Sequence, residues 1–177
     1  MIAPPAWTFP RTPCMVAPIK SPDGKAHPPV TQLTLAKPDD LDRLTRLVSD
    51  FHAEHGIDQD AETRRAALAP LLDGSPHGAA YLIGPGRAPI GYIIVSFGWS
   101  VEFGGMDGVV DELYIRPAVR GRGIGSEVLM SLPKALAGAG LKALHLEVKT
   151  EDERAHRFYR KLRFHPREGH TLMTRKI

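Results

Sequence analysis

The chain has 177 residues, of which 42% are apolar and 24% are charged, and its formal net charge is +3. This length supports one domain with a substantial core and is too short for two domains that each have one. The mild positive charge suits an anionic small ligand as well as nucleic acid, so the charge balance alone excludes neither class of partner.

The cysteine content and the hydropathy pattern bear on where the protein works. The single cysteine, Cys14, excludes a disulfide within the chain, which is typical of proteins from a reducing cytoplasm. No apolar run approaches the ~18 residues that a membrane-spanning helix needs. Prolines interrupt the apolar stretches near the N-terminus, so no signal peptide is predicted. We therefore expect a soluble, cytoplasmic protein without a membrane partner.

The composition changes near residue 30. Residues 1–29 hold eight of the sixteen prolines, and proline fixes φ and lacks a backbone donor, which opposes helices and sheet ladders. We predict a disordered tail over 1–29 and one folded domain over 30–177. An alternative is that the tail docks onto a partner.

Regular patterns begin at Val30. Alternating apolar residues predict a strand first, and Pro38 with two aspartates then opens a helix that Gly56 ends. A weaker helix and a hairpin around a Gly-Pro-Gly turn follow. In chain order the predicted elements are a strand over 30–36, a helix from Pro38 to Gly56, a helix over 61–72, and hairpin strands over 80–83 and 90–97.

The second half predicts the remaining elements of a mixed α/β domain. They are a glycine-rich loop over 98–107, a strand over 109–116, a helix from about Gly123, a strand over 143–148, a helix over 152–162 and a last strand over 171–175. The order is βααβββαβαβ, with an antiparallel first half. Pro133 lies inside the helix after Gly123, where proline should kink or divide it.

The most informative stretch joins a predicted strand to a helix and reads Arg120-Gly-Arg-Gly-Ile-Gly125. Glycines allow close approach of a ligand to the backbone, and a helix N-terminus offers free N–H donors and partial positive charge. With two arginines added, the stretch predicts a pyrophosphate site. The G-x-G-x-G spacing differs from the Rossmann pattern, and the Lys-Ser/Thr pair of a P-loop is absent. The alternative is a surface turn with solvated arginines.

Two motifs of this sequence resemble those of one family. Arg120-x-x-Gly123-x-Gly125 resembles the acyl-CoA signature of the GNAT superfamily, R/Q-x-x-G-x-G/A. About 30 residues later, the stretch from Asp152 to Phe164 resembles the family's N-x-x-A-x-x-F-Y-x-x-x-G-F. Asp152 replaces the usual asparagine, and Arg163 replaces a glycine, so the helix exit needs another cap or a less usual backbone. The resemblance extends over about five-sixths of the chain.

The resemblance implies a fold and a cofactor. It implies a single GNAT domain with a mixed central sheet, whose parallel strand pair splays apart to admit the pantetheine arm of acetyl-CoA. It implies an N-acetyltransferase that works by direct attack in a ternary complex, without a metal or a covalent intermediate. The cofactor-binding residues that it implies are Leu113, Tyr114, Ile115, Arg120, Gly121, Arg122, Gly123, Ile124, Gly125, Ser126, Asp152 and Ala155.

Catalytic roles follow from the same resemblance. Tyr159 is the expected general acid that protonates the CoA sulfur, and the alternative is an aromatic residue of the core face. Asp111 or Glu112 is the expected general base, while the other can bind the amine. The alternative for these two is a solvated carboxylate or an ion pair with an arginine. The pair also resembles the Glu-Asp of polyamine-type acetyltransferases.

The expected acceptor is a cationic small-molecule amine. The segment from Arg87 to Arg116 has no lysine or arginine between its ends and carries four acids, Glu102, Asp107, Asp111 and Glu112, which would attract a cation. Alternatives are a protein N-terminal or lysine acetyltransferase and a non-catalytic acyl-CoA-binding regulatory module. The basic run near residue 160 lacks interleaved stacking aromatics beyond Phe158 and Tyr159, so no nucleic-acid partner is predicted.

Two further expectations concern the histidines and the assembly. His52 and His55 are three residues apart without a third ligand, so both are expected at the surface and no metal site is predicted. By analogy with the family, a homodimer is one expectation for the assembly.

Overall fold

A computed structural model describes residues 32–176 of the chain. These residues fall into two compact units, of which the first ends at Leu146 and the second begins at Glu147. The tail predicted over 1–29 lies outside the described residues. Between residues 32 and 176, no helix combines the length and the apolar character that crossing a membrane requires.

The first unit is built on a five-stranded mixed sheet in the order β1-β2-β3-β4-β5. Neighbouring strands pair antiparallel except β4 and β5, which are parallel and need a crossover through a helix. The strands are β1 (Leu33–Leu35), β2 (Gly78–Ile83), β3 (Gly91–Ser100), β4 (Gly105–Ile115) and β5 (Leu141–Leu146). The predicted α/β class, with an antiparallel first half and one parallel pair, is confirmed.

The described residues contain four α-helices. The first unit has α1 (Leu41–His55), α2 (Ala61–Leu72) and α3 (Ile124–Ala137), and the second has α4 (Glu153–Lys161). A short 3-10 turn over Pro38–Asp40 leads into α1, and Gly56 ends that helix with a left-handed φ of 66°, which glycine adopts without strain. Asp60 caps α2 by accepting a hydrogen bond from the Thr63 N–H at 2.8 Å. Local residues thus define the end of α1 and the start of α2.

The main core lies between the sheet and the first two helices. Apolar residues of α1, α2 and strands β2 to β4, together with Ala36 after β1, form one buried cluster: Ala36, Leu44, Leu47, Val48, Leu68, Leu72, Ala80, Leu82, Tyr92, Ile94 and Tyr114. Helix α3 contacts β4 and β5 and buries an apolar stripe that includes Val128, Leu129 and Leu132. The core thus brings both α1 and α3 into contact with β4.

The glycine-rich loop predicted over 98–107 is wrong. Strand β3 continues to Ser100 and β4 begins at Gly105, so only residues 101–104 form the turn. Gly98 pairs with Asp107 across the two strands, and a Cβ at Gly98 would lie 2.8 Å from Asp107 Oδ1. Glycine here permits close approach within a hairpin, which is its other use in strands.

The strand predicted over 171–175 is wrong, and of the kink or division predicted at Pro133 the division is contradicted. The chain described after α4 contains no strand over 171–175, and Leu172 and Met173 are 71% and 89% exposed. A strand needs a partner for its backbone groups, and the described part of the second unit contains no other strand. Pro133 lies inside α3, which continues as one helix to Ala137 and is not divided.

Candidate active site

The turn between β4 and α3 has a backbone that suits glycine at two positions. After a 3-10 turn over Pro117–Val119, Gly121 and Gly123 adopt φ of 74° and 81°. L-residues with a side chain rarely adopt this left-handed region. Gly123 is also the N-cap residue of α3, and no side chain caps the helix there.

The first turn of α3 presents backbone donors. The first intrahelical bond runs from the Glu127 N–H to the Gly123 carbonyl at 3.0 Å, so the amides of Ile124, Gly125 and Ser126 precede the helical hydrogen-bond pattern. A Cβ added at Gly121, Gly123 or Gly125 would meet no heavy atom within 4 Å. Open space therefore borders a helix N-terminus, where the helix dipole favours an anion.

Strand β4 extends beyond its parallel neighbour. Pairing between β4 and β5 ends at Val110 and Leu146, whereas pairing between β3 and β4 continues to Gly91 and Ile115. Leu113, Tyr114 and Ile115 thus lie on a part of β4 that β5 does not pair with. An extended ligand can add to such an edge through main-chain hydrogen bonds.

Arg120 is held by contacts with α1 and β4. Its Nη2 donates to both Glu54 carboxylate oxygens at 3.0 and 2.7 Å, and its Nε donates to the Ile115 carbonyl at 2.6 Å. The guanidinium carbon lies 5.4 Å from the centre of the Tyr114 ring. Arg122, which is exposed like Arg120, lies within the glycine turn itself.

Glu112 lies in a buried polar cluster with a histidine and a tyrosine. His52 Nε2 is 2.8 Å from Oε1 of Glu112, and the Tyr92 hydroxyl donates to Oε2 at 2.6 Å. The Glu112 side chain is only 14% exposed. An ionised carboxylate can only accept, so Nε2 carries the histidine hydrogen; Nδ1 is buried without a partner among the described residues. Burial, and then the Glu112 charge, raise the pKa of Tyr92, so its hydroxyl keeps its proton.

Asp111 and Glu112 have different surroundings. The register of β3 and β4 shifts so that Ile94 pairs with Glu112 and Val95 with Val110, which leaves Asp111 as the extra residue of a β-bulge. Asp111 is exposed, whereas Glu112 is enclosed. The bulge thus presents one carboxylate to solvent directly beside a buried one.

The other two predicted acids do not join this pair. Asp107 lies five residues from Glu112 on β4, which corresponds to about 17 Å along a strand. Its Oδ2 is 3.7 Å from Nε2 of His145 on β5. Glu102 lies in the turn between β3 and β4. The four acids are therefore spread along the hairpin and do not form one cluster.

In the second unit, α4 carries the second sequence motif. Asp152 Oδ1 accepts from the Ala155 N–H at 2.9 Å and caps the helix. Tyr159 is half-buried and lies between Phe158 and Phe164, with ring centres 5.1 and 6.0 Å away. Burial, followed by the charge of Asp152, raises the pKa of the Tyr159 hydroxyl. At neutral pH the hydroxyl is protonated and can act as a donor.

The comparison with protein families agrees with this geometry. The model of the acetyltransferase (GNAT) family matches residues 41–164, which is well over half of the chain. The chain belongs to the GNAT family. It is therefore an acyltransferase, and GNAT enzymes use acetyl-CoA as the acetyl donor. A comparison with curated protein sequences found no match.

Solved structures support the GNAT fold. An integron cassette protein from the mobile metagenome of Cole Harbour Salt Marsh is 29% identical with a TM-score of 0.71, covering 82% of this chain and 90% of that one. An acetyltransferase candidate from Arthrobacter sp. FB24 is 28% identical with a TM-score of 0.69, over 86% and 98%. AAC(6')-Iy in complex with CoA-S-monomethyl-acetylneamine is 14% identical with a TM-score of 0.67, over 82% and 97%, and shows similarity of fold alone.

The turn of this GNAT chain fits the diphosphate of acetyl-CoA. The space around its left-handed glycines is open, because a Cβ there would meet no atom within 4 Å. The backbone amides of the first turn of α3 are donors of the type that binds phosphate oxygens. The exposed Arg122 adds a cation. The remaining expected cofactor residues, Asp152 and Ala155, hydrogen-bond to each other in the described structure.

Sequence reasoning missed His52, Tyr92 and Glu54. His52 was expected at the surface, but it is buried. Its position carries a signal, since it follows Leu44 and Val48 at four-residue intervals along the apolar stripe of α1. Tyr92 and Glu54 gave no local signal, because their partners are 20 and 66 residues away in sequence.

Proposed function

We propose that this GNAT enzyme transfers the acetyl group of acetyl-CoA to the primary amine of a cationic small molecule, by direct attack in a ternary complex. One observation carries the proposal: left-handed glycines and open amides begin α3 beside the part of β4 that extends beyond β5. The same fold holds CoA-S-monomethyl-acetylneamine in AAC(6')-Iy, which supports a donor and an amine in one site.

The donor is held by main-chain groups in this proposal. The amides of Gly121 to Ser126 and the exposed Arg122 bind the diphosphate, since backbone N–H groups at a helix start bind phosphate well. The β4 edge at Leu113, Tyr114 and Ile115 binds the pantetheine arm as an added strand. When bound, acetyl-CoA supplies an acetyl thioester, whose carbonyl the β4 amides polarise.

Glu112 is the proposed general base. His52 and Tyr92 each donate to one carboxylate oxygen, which fixes the carboxylate and leaves one lone pair on each oxygen to accept a proton. Glu112 takes the proton of the attacking amine, directly or through one water. The exposed Asp111 at the bulge binds the ammonium of the incoming substrate.

Tyr159 is the proposed general acid. Its hydroxyl donates a proton to the departing thiolate, and its raised pKa supports a group that is fully protonated before the reaction. The alternative is that Tyr159 only packs in the core, and in that role its hydroxyl would not be needed. A Tyr159→Phe variant therefore separates the two roles in the assay below.

A cationic acceptor is favoured by the charges along β3 and β4. Between residues 91 and 115 there are four acids and no lysine or arginine. Both carboxylate oxygens of Glu112 already accept hydrogen bonds from His52 and Tyr92, whereas Asp111 is exposed and can pair with an ammonium. The preference for a cation therefore depends chiefly on Asp111.

The test is release of free CoA thiol from acetyl-CoA in the presence of polyamines, aminoglycosides, neutral amines, amino acids and peptides. Cationic small amines should react fastest. A protein that turns over only neutral or acidic acceptors, or only peptides, would contradict the proposed acceptor. No turnover with any amine, together with acetyl-CoA binding, would favour a non-catalytic module.

Variants in the same assay test the roles of the side chains. Glu112→Gln and Tyr159→Phe should each lower kcat by roughly 10²–10⁴-fold, the usual contribution of general acid–base catalysis. Asp111→Asn should raise KM for the amine and leave acetyl-CoA affinity unchanged. The exposed Asp73→Asn, at the end of α2, is the matched control and should keep full activity. A loss of under threefold in kcat for Glu112→Gln would rule out Glu112 as the base.

A further inference from the structure

Arg120 joins the glycine turn to the end of α1. Glu54 lies in the last turn of α1, and both of its carboxylate oxygens accept from Arg120 Nη2 at 2.7 and 3.0 Å. The two side chains are partly exposed. Partly exposed ion pairs contribute little to folding stability. The role of this pair is therefore to position the groups that it connects, rather than to stabilise the fold.

The other contacts of Arg120 fix its direction. Its Nε donates to the Ile115 carbonyl at the end of β4, and its guanidinium lies over the Tyr114 ring. Two of the three guanidinium nitrogens are thereby committed to α1 and β4. The sequence predicts Arg120 as a cation for the diphosphate, but the described contacts direct its charge to Glu54.

The segment after Arg120 needs such a restraint. Gly121 follows directly and Gly123 comes two residues later, both with positive φ, and glycine loses more backbone freedom on ordering than any other residue. Ordering a binding loop before the ligand arrives removes that cost from binding. A fixed Arg120 holds the start of the turn in place, and α3 holds its end.

We propose that Glu54 is a positioning residue of the acetyl-CoA turn, which it holds in the binding geometry through Arg120. The inference rests on the proposed function, because it takes the turn to be the diphosphate site. It assigns Arg120 the role of a strut between α1, β4 and the turn. It also makes the end of α1 a contributor to donor affinity although Glu54 itself is an anion.

The proposal and simple electrostatics predict opposite signs for one variant. Glu54→Gln removes a negative charge near a diphosphate site and releases an arginine, so charge alone predicts tighter CoA binding. The positioning role predicts weaker CoA binding, because without Glu54 the start of the turn is no longer held in place through Arg120. Calorimetry of CoA binding should give a Kd for Glu54→Gln that is raised roughly three- to tenfold, as expected for one charge-assisted pair.

A double-mutant cycle and a control complete the experiment. Arg120→Gln should raise Kd to a similar extent, and the double variant should add little, because either change breaks the same pair. Asp42→Asn is the control, since it breaks the Asp42–Arg65 ion pair between α1 and α2 and should leave Kd unchanged. In kinetics, Glu54→Gln should raise KM for acetyl-CoA and keep kcat, which a general loss of structure would not do.

CoA binding by the variants tests the role of Glu54, and CoA binding by the unaltered chain tests the proposed function. Unchanged or tighter CoA binding by a folded Glu54→Gln variant would overturn the strut, as would additive losses in the double variant. Absence of CoA binding by the unaltered chain would instead overturn the proposed function, and this inference with it.

Discussion

Arg163 occupies the end of α4, where the GNAT pattern has glycine. Its φ is 69°, and it is the one non-glycine residue of the described chain with positive φ. The Arg163 N–H donates to the Arg160 carbonyl at 3.0 Å, and the Phe164 N–H donates to the Tyr159 carbonyl at 3.1 Å. These two bonds form a Schellman motif. The less usual backbone that the sequence required at this exit is therefore present, with arginine in a position that favours glycine.

Replacing Arg163 with glycine should stabilise the exit of α4. Glycine relieves the cost of the left-handed conformation, which exceeds the entropy that glycine loses, so we expect a net gain of about 0.5–1 kcal/mol. Arg160→Gly is the matched control with the opposite sign, because position 160 is helical and glycine costs ~1 kcal/mol there. Chemical denaturation, or hydrogen exchange of the α4 amides, measures both. Destabilisation by Arg163→Gly would show that the arginine side chain contributes more than the strain costs.

At the scale of elements, the turn and α3 form one unit of recognition. Gly125 shares the open space of Gly121 and Gly123, since a Cβ there meets no atom within 4 Å, but its φ is not left-handed. A side chain at Gly125 therefore tests the ligand space without straining the backbone. The family pattern admits alanine at this position, which supplies a graded pair of variants.

Gly125→Val should weaken CoA binding at least about tenfold, because a branched side chain obstructs main-chain donors each worth roughly 1.5–3 kcal/mol when they bind a charged group. Gly125→Ala should stay within about threefold of the unaltered chain and should strengthen the helix, since alanine is the better helix former. Calorimetry and thermal unfolding measure the two effects separately. Equal affinity for the valine and alanine variants would place the diphosphate elsewhere.

Elements with local signals were predictable, and those that depend on distant partners were less so. Helix α2 has its predicted bounds, and in the structure Asp60 caps its start locally. The glycines over 98–107 predicted a loop, but Gly98 allows β3 to approach Asp107 of β4 closely, and that pairing is not visible locally. In the candidate site, the glycine turn was predicted from the motif. The partners of Glu112 and Arg120 were not, because α1 meets β4 only in the folded chain.

At the scale of the whole molecule, the folded region should begin between residues 29 and 33. Strand β1 pairs with β2 from Leu33 to Leu35, and the Gln32 carbonyl accepts from the Gly84 N–H at 2.8 Å. Leu33 and Ala36 are nearly fully buried. The boundary predicted at residue 30 therefore lies just before the first backbone hydrogen bond described in the sheet.

Deleting residues 1–29 should leave thermal stability and acetyl-CoA affinity unchanged, because the cut keeps Gln32 and the whole of β1. Deleting residues 1–36 is the matched control, since it removes β1 and exposes the β2 edge that β1 covers. Loss of the buried Leu33 alone should cost about 1.5–3 kcal/mol, which corresponds to a fall in Tm of several degrees at about 2–4 °C per kcal/mol. Thermal unfolding and calorimetry of both deletions measure the difference. If the shorter deletion also lowered Tm or abolished acetyl-CoA binding, residues 1–29 would belong to the functional domain, and the boundary would have to be moved toward the N-terminus.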